Sequence, residues 1–473
     1  MTESRKWLAL TFLVLAQFMI VLDISIVNVA APSIEKALGL QESDLQWIVT
    51  AYTLAFGGFL LLGGRTADIF GRRRVFLSGV VGFTTMSLLV GITQSAALLV
   101  PLRALQGLSA AFMSPSALSI ILTIFRDARS RTRALSIWGA VGASGATAGI
   151  LLGGILTEYL NWRWNFFINV PVGILVIIAS LVLVPAHETQ ERTKTLDLPG
   201  AVLITSALIL FVLAISNGSA WGWASLAFVG TIVVSALLLA AFVWNESRAP
   251  HPLMPLSIFR IGNVAGADLV MFPVAACIFS MFFFLSLYFQ NVEHYQPLMS
   301  GLAFLPTTAT IAMSAILAPR IIRQIGYKII LVVAPLLLCA GLLTIAQIQV
   351  DSAYLDILPG LLLVAVGMGF SFVSLVVAAT SGVPGQESGL ASGLITTAQQ
   401  IGGSLGLAVL SSIASAHTLA LSAAGQGSSS VVLVAGFQTA FYISACFAAF
   451  ASFAAFFLIQ QQRAGHTAAG AHI

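Results

Sequence analysis

Apolar runs of roughly 20 residues recur along this chain, each long enough to cross ~30 Å of hydrocarbon as a helix. Short stretches of charge, glycine or proline separate them. Read between that punctuation, the pattern predicts about fourteen helices, at 7–31, 46–64, 74–93, 97–124, 133–157, 163–184, 197–217, 222–244, 262–290, 299–319, 327–347, 355–379, 388–415 and 434–459. The runs are continuous rather than alternating, which excludes a β-barrel. The pair at 197–244, joined by Asn217-Gly218-Ser219, is expected to form two full spans, with one re-entrant hairpin as the alternative. The fold class is an all-α polytopic membrane protein.

Composition agrees. With 58% hydrophobic and 8% charged residues among 473, and a mean hydropathy of +0.99, too little polar surface exists to cover a water-facing body. The net charge of +4 does not point to nucleic acid, because the basic residues sit in short loops between spans. One set of loops carries Arg5, Lys6, the 65–74 cluster, Arg126, Arg129, Arg131, Arg133, Arg192, Lys194, Arg248, Arg260, Arg320, Arg323, Lys328 and Arg463. The other has Lys36 and Arg163 beside Glu35, Glu42, Asp44, Glu293, Asp351 and Asp356. This asymmetry places both termini in the cytoplasm and requires an even number of spans. The first run is too long for a signal-peptide core and is expected to remain as span 1.

Residues 63–76 read Gly-Gly-Arg-Thr-Ala-Asp-Ile-Phe-Gly-Arg-Arg-Arg-Val-Phe. Gly64 and Gly71 frame a turn too short for an ordinary loop, as at a joint between packed helices. Alone, the cluster also reads as a marker of the cytoplasmic side. Downstream, Arg320 and Gly326 repeat the separation of Arg65 and Gly71, with Arg323 where the first copy has Asp68. A topology marker needs neither Asp68 nor the glycines, so Gly64, Asp68, Gly71, Arg72 and Arg73 read as a conformational latch.

A second echo lies in the glycines. Gly145, Gly149 and Gly153, with Gly154 adjacent, mark one face of span 5, and Gly389/Gly393 and Gly402/Gly406 mark span 13. Small residues at that spacing let helix backbones approach closely. Their matched positions favour a moving interface within the chain; dimerisation through these faces is the alternative. Two six-span halves at 1–190 and 251–473, with two inserted linker helices at 191–250, are what a duplicated transporter would show.

An ionisable side chain inside a membrane is costly and a functional candidate by default. Asp23 lies in span 1 with Asn28 further along, Arg103 in span 4, and Asp268 in span 9. An Asp–Arg partnership that breaks and re-forms makes a proton switch. The plainer reading pairs Asp23 with Asn28 and puts Asp268 at the cytoplasmic interface. Glu158 reads as a rim residue paired to Arg163. Phe279, Phe282, Phe283, Phe284, Tyr288 and Phe289 crowd one span; a cavity wall including Phe283 is one reading, lipid-facing bulk the safer one. Gln399, Gln400, Gln290 and Asn291 are polar enough to line an aqueous cavity.

No phosphate-binding Gly-x-x-x-x-Gly-Lys-Ser/Thr loop occurs, which argues against direct ATP drive. Cys277, Cys339 and Cys446 have no metal or redox spacing, and the six histidines never pair at ligand spacing. No cofactor, metal or enzymatic activity is expected.

Taken together, the chain resembles the major facilitator superfamily, specifically its fourteen-span drug:proton antiporter branch. Gly64-x-x-x-Asp68-x-x-Gly71-Arg72-Arg73-Arg74 is similar to that superfamily's loop motif, and Arg103-x-x-Gln106-Gly107 to its span 4 motif. Leu22-Asp23 through Asn28-Val29-Ala30 with Pro32, and Trp162-Arg163-Trp164 followed by Phe167-x-Asn169-x-Pro171, are similar to two further hallmarks. The resemblance implies two six-helix bundles plus two extra central helices. It implies that Asp68 and Arg72 lock and release the halves and that Arg103 and Asp23 take part in proton coupling; Gln106 and Asn28 are further candidates for lining the cavity. One departure stands out: the span 5 motif of this branch usually has a Gly-Pro pair before its double glycine, whereas here Ile150 follows Gly149.

The expected function is proton-coupled export of small lipophilic molecules, cationic ones included, by a monomer in the cell membrane. Dedicated export of one endogenous metabolite, antibiotic or lipid is the rival within transport. A membrane scaffold or sensor is the rival outside it.

Overall fold

The computed structural model of the chain describes residues 2–40, 42–125, 127–185, 197–250, 252–384, 388–425 and 428–461. Arg126, Arg192, Lys194 and Arg463, counted in the charge asymmetry, lie outside them, as do His187, His251, His466 and His472 and the expected junctions at 190–191 and 250–251. No strand occurs among the described residues.

The first group of helices is α1 (Glu3–Leu38), α2 (Glu42–Phe70), α3 (Arg72–Ile92), α4 (Ala96–Ile124), α5 (Ala128–Tyr159), the single turn α6 (Trp164–Phe167) and α7 (Asn169–Leu183). A hairpin follows, α8 (Leu198–Trp221) and α9 (Leu226–Arg248). The second group is α10 (Val264–Leu287), α11 (Pro297–Ala303), α12 (Leu305–Ile325), α13 (Tyr327–Ile345), α14 (Tyr354–Thr380), α15 (Ser388–Ala423) and α16 (Ser429–Leu458). Thirteen stretches are long and apolar enough to cross a membrane, and α5 supplies a shorter apolar segment at Ala148–Tyr159, consistent with about fourteen spans. The 197–244 region is two helices of crossing length rather than one re-entrant hairpin.

Several ends differ from expectation because helices run on past the apolar run into water, where backbone hydrogen bonds still form. Helix α2 continues through Gly64 to Phe70, so the turn between α2 and α3 is Gly71 alone. Gly71 has φ 99° and Gly326, its counterpart between α12 and α13, φ 84°, backbone that a side chain at Cβ disfavours. Gly64 meets only the Pro115 side chain, at 3.6 Å from where a Cβ would lie, so packing does not demand glycine there. Helix α1 was expected to stop before Pro32 but continues through it to Leu38. The proline removes the N–H that would bond the carbonyl four residues back, and the Ser286 hydroxyl of α10 donates to that Asn28 carbonyl instead, at 2.7 Å.

Packing is densest within each group. In the first, α2 packs on α4, α1 on α5, and α3 on α4 and α7. In the second, α13 packs on α14 and α16, and α10 on α15 and α16. Between them, α2 packs along α15, α5 meets α11, and α1 meets α10. Helix α8 straddles the α2–α15 seam. Gln46 of α2 donates to Ser216 of α8 at 2.9 Å, and Ser412 of α15 donates to the Ile215 carbonyl at 2.9 Å. Helix α9 lies outside it with a largely apolar exposed surface, Leu237 and Trp244 included, as lipid contact requires.

The crowded aromatics of α10 are not lipid-facing bulk. Phe283, Phe284, Tyr288 and Phe289 are buried in the second group, where Phe284 meets Phe437 and Phe441, and Phe289 stacks on Tyr295 at 5.5 Å. Phe283 is 1% exposed and packs against Phe284, so it lines no open cavity.

Candidate functional site

Six elements of the first group converge on one buried ion pair. Asp23 of α1 is 0% and Arg103 of α4 1% exposed, and the guanidinium Nη1 donates to Asp23 Oδ2. Arg103 also donates through Nε to the Ile48 carbonyl of α2 at 3.1 Å, and through Nη1 to Gln106 Oε1 at 2.7 Å. Its cation sits 4.4 Å over the Tyr52 ring and 5.6 Å from that of Phe166. Gln106, one helical turn beyond Arg103, donates to Asp23 Oδ1 at 2.9 Å and to the Ser87 hydroxyl of α3 at 3.1 Å. Asn169 of α7 donates to the same two atoms, at 3.1 and 3.0 Å. A fixed cation and two amides therefore each donate a bond to the Asp23 carboxylate.

Local sequence explains the convergence. Gly107 lets α4 lie against α2, where an added Cβ would fall 2.1 Å from the Tyr52 carbonyl oxygen. That contact brings Arg103 to the α2 backbone. A charge buried this deeply is tolerated only when paired and hydrogen-bonded.

The other expected site residues fall elsewhere. Asn28 does not bond Asp23; its carbonyl takes the Ser286 contact. Gln106 is part of the ion-pair network rather than a cavity wall. Asp268 stands apart on α10, and its buried Oδ1 has no partner among the described residues. Gln399 is half-buried, while Gln400 is buried with its Cβ region against Gly57 of α2 and its Nε2 without a partner among the described residues. Glu158 is not paired to Arg163. Arg163 holds the Gly91 and Thr93 carbonyls, and Glu158 accepts from the Leu298 N–H at 2.9 Å.

At the basic face, Asp68 and Arg72 form an exposed ion pair at 3.3 Å, and Arg72 also donates to Thr123. Arg73 and Arg5 donate to the Leu181 and Val182 carbonyls, which the end of α7 leaves without intrahelical partners. All these contacts stay within the first group. The glycine faces depart from expectation too. Gly145, Gly149 and Gly153 pack on α1 at Val21, Leu22 and Ile26, and Gly402 and Gly406 on α10 at Phe272 and Ala276. They allow two helices of the same group to cross closely and are covered by their own chain, not free for a second copy. Gly154, against Leu298 and Pro297, and Gly393, against Leu61, do face across the groups.

Asn169 lies within the Phe167-x-Asn169-x-Pro171 motif, which by itself does not point to Asp23, and Ser87 and Tyr52 carry no sequence signal.

A family model for the Major Facilitator Superfamily matches residues 13–407. The chain belongs to that superfamily. The puromycin resistance protein pur8 of Streptomyces alboniger is 37% identical over 450 residues, covering 94% of this chain and 89% of that protein. The cephamycin export protein CmcT of Amycolatopsis lactamdurans is 39% identical over 422 residues, 88% and 87% of the two chains. The multidrug resistance protein Stp of Mycobacterium tuberculosis (strain ATCC 25618 / H37Rv) is 34% identical over 402 residues, 85% and 74%. Among solved structures, an inward-facing, unoccupied bacterial homologue of the human lysosomal transporter Spinster superposes with a TM-score of 0.68 at 16% identity, covering 96% of this chain and 97% of that one. The xylose transporter XylE from E. coli in an inward open conformation gives 0.63 at 13%, with 96% of each covered. This major facilitator chain is a multi-pass membrane transporter, not an enzyme.

Proposed function

We propose that this transporter is a proton-coupled antiporter exporting small lipophilic compounds, with its basic face in the cytoplasm of a cell membrane and the monomer as its working unit. The observation that carries the proton assignment is the buried Asp23–Arg103 pair. When Asp23 is charged, it ties α1, α3, α4 and α7 to one cation. A proton on Asp23 cancels that charge, leaves Arg103 without its anion, and frees those helices to shift. Restoring the pair expels the proton. Coupling follows if the proton enters from one side and leaves to the other as the cavity changes face.

In this reading two bundles, 1–190 and 251–473, rock about a linker hairpin at 191–250. Asp68 and Arg72, joined at Gly71, lock and release the bundles at the cytoplasmic face. Asp268 is a second protonation site, and Gln399 and Gln400 line the central cavity. Names of the relatives support small toxic compounds as cargo. Two of them name single antibiotics, which supports the narrower alternative of one dedicated substrate. The deciding experiment is efflux of a fluorescent lipophilic cation from proteoliposomes under an imposed pH gradient, run beside puromycin and a cephamycin. Gradient-driven efflux of several unrelated compounds is expected. Efflux of one alone selects the dedicated exporter, and none of any compound removes the proposal.

A further inference from the structure

The face opposite the arginine-rich one carries a closure that the proton site does not explain. It is made of side chains of one helix group bonded to backbone of the other. Ser286 of α10 donates to the Asn28 carbonyl at 2.7 Å, and Gln290 donates to the Val29 carbonyl at 2.9 Å. On the other flank the Glu158 carboxylate at the end of α5 accepts from the Leu298 N–H of α11, at 2.9 Å. Around it the backbones press together: a Cβ on Gly154 would lie 2.8 Å from Leu298, and one on Gly301 2.9 Å from the Ile150 carbonyl. Beside this contact opens a polar cavity of about 330 Å³, lined from both groups by Lys36, Thr157, Glu158, Gln290, His294 and Tyr295.

We propose that Glu158 is the acid-sensitive bolt of the outer gate. Its charged carboxylate holds the Leu298 N–H, and a proton arriving through the polar cavity weakens that bond and lets α5 part from α11. The proposal rests on the orientation and proton coupling given above. Ser286 and Gln290 donate to backbone carbonyls, whereas Glu158, like Glu35 of α1, which accepts from the Asn291 side chain, is a titratable acceptor across the groups. Bonds to a charged acceptor are roughly twice as strong as neutral ones, so neutralisation matters here. The charged and titratable groups facing Glu158 across the cavity are Lys36 of α1 and, ahead of α11, His294 and Tyr295. Glu35 of α1 faces Asn291, Glu293 bonds the Tyr288 hydroxyl, and Arg163 is held by the Gly91 and Thr93 carbonyls. Glu158 is thus a positioning residue for the transport cycle, not part of the Asp23 site.

The test uses the full chain in right-side-out vesicles, with Cys277, Cys339 and Cys446 replaced and Ser33→Cys introduced in the cavity wall. Labelling by a membrane-impermeant maleimide is followed at neutral and acidic outside pH, corrected for the pH dependence of a free-thiol standard. Acid is expected to speed corrected labelling about tenfold, the scale of losing a hydrogen bond to a charged group. E158A labels fast at both pH values. E158Q, a neutral acceptor like the protonated acid, also labels fast at both, and H294A keeps the parental response. A parental rate indifferent to pH, an E158Q variant that still responds, or an H294A variant that does not, overturns the assignment. Efflux measured beside it separates this gate from the coupling reading: if D23N loses gradient-driven efflux while the gate still responds, the two stand independently. If proton-driven efflux holds but labelling ignores Glu158, the gate proposal alone fails.

Discussion

At the scale of single residues, the Asp23–Arg103 network divides what the sequence could reveal from what it could not. Charge in an apolar run is conspicuous because burying it is costly, so Asp23 and Arg103 stood out in the text of the chain. Ser87, Tyr52 and Asn169 did not, because neutral polar residues are common in such helices and only the packing aims them at the carboxylate. The network makes two expectations. Arg103→Ala leaves Asp23 buried without a cation and should lower stability by roughly 3–5 kcal/mol, read as a fall in the thermal midpoint in detergent. Asp23→Asn keeps the size and the contacts to Gln106 and Asn169 while removing the titratable charge. It should abolish gradient-driven efflux with substrate binding retained; unchanged pH-driven transport would remove Asp23 from the coupling role.

At the scale of elements, hydrophobic runs located the helices well and their ends poorly. Length and apolarity report where lipid is, and a helix has no reason to stop at the membrane surface if water or a partner takes its terminal groups. That is why α2 outran its apolar run through Thr66 and Asp68 to Phe70, and why α1 passed Pro32 with Ser286 supplying the missing donor. The glycine patterns were legible as close helix contacts, but which helix they met was not, since a small-residue face repeating every four positions carries no address. Gly71 was legible outright, as a joint between helices. Gly71→Ala forces a side chain onto φ 99° and should cost about 1–3 kcal/mol, seen as a lower thermal midpoint. Gly64→Ala, with only Pro115 nearby, should leave stability almost unchanged. A large loss of efflux in Gly64→Ala without loss of stability would locate its importance in another conformation.

At the scale of the whole molecule, the α8–α9 hairpin is bonded to both helix groups at their seam. Helix α8 is bonded to α2 through Gln46 and to α15 through Ser412, while α2 and α15 touch directly through the hydroxyls of Thr53 and Ser404. Three helices joined this way suit an axis better than an opening. The contacts of α5 with α11 and α1 with α10 lie toward the face that Glu158 closes, away from the arginine-rich end. Alternating access through rocking predicts that the mid-height α2–α15 contact changes relative angle more than distance. A short cross-link there permits a pure hinge and blocks any cycle that separates the seam. Thr53→Cys with Ser404→Cys, in a background lacking the three native cysteines, can be joined by a short thiol-reactive linker and compared with the unlinked protein. If the seam is the axis, linked protein keeps a substantial share of its gradient-driven efflux, whereas a link between Ile155→Cys and Met299→Cys near the Glu158 closure stops it. Arrest by the α2–α15 link, with efflux restored when a cleavable version is cut, would show instead that this seam opens in each cycle and that α8 is a seal rather than part of the pivot.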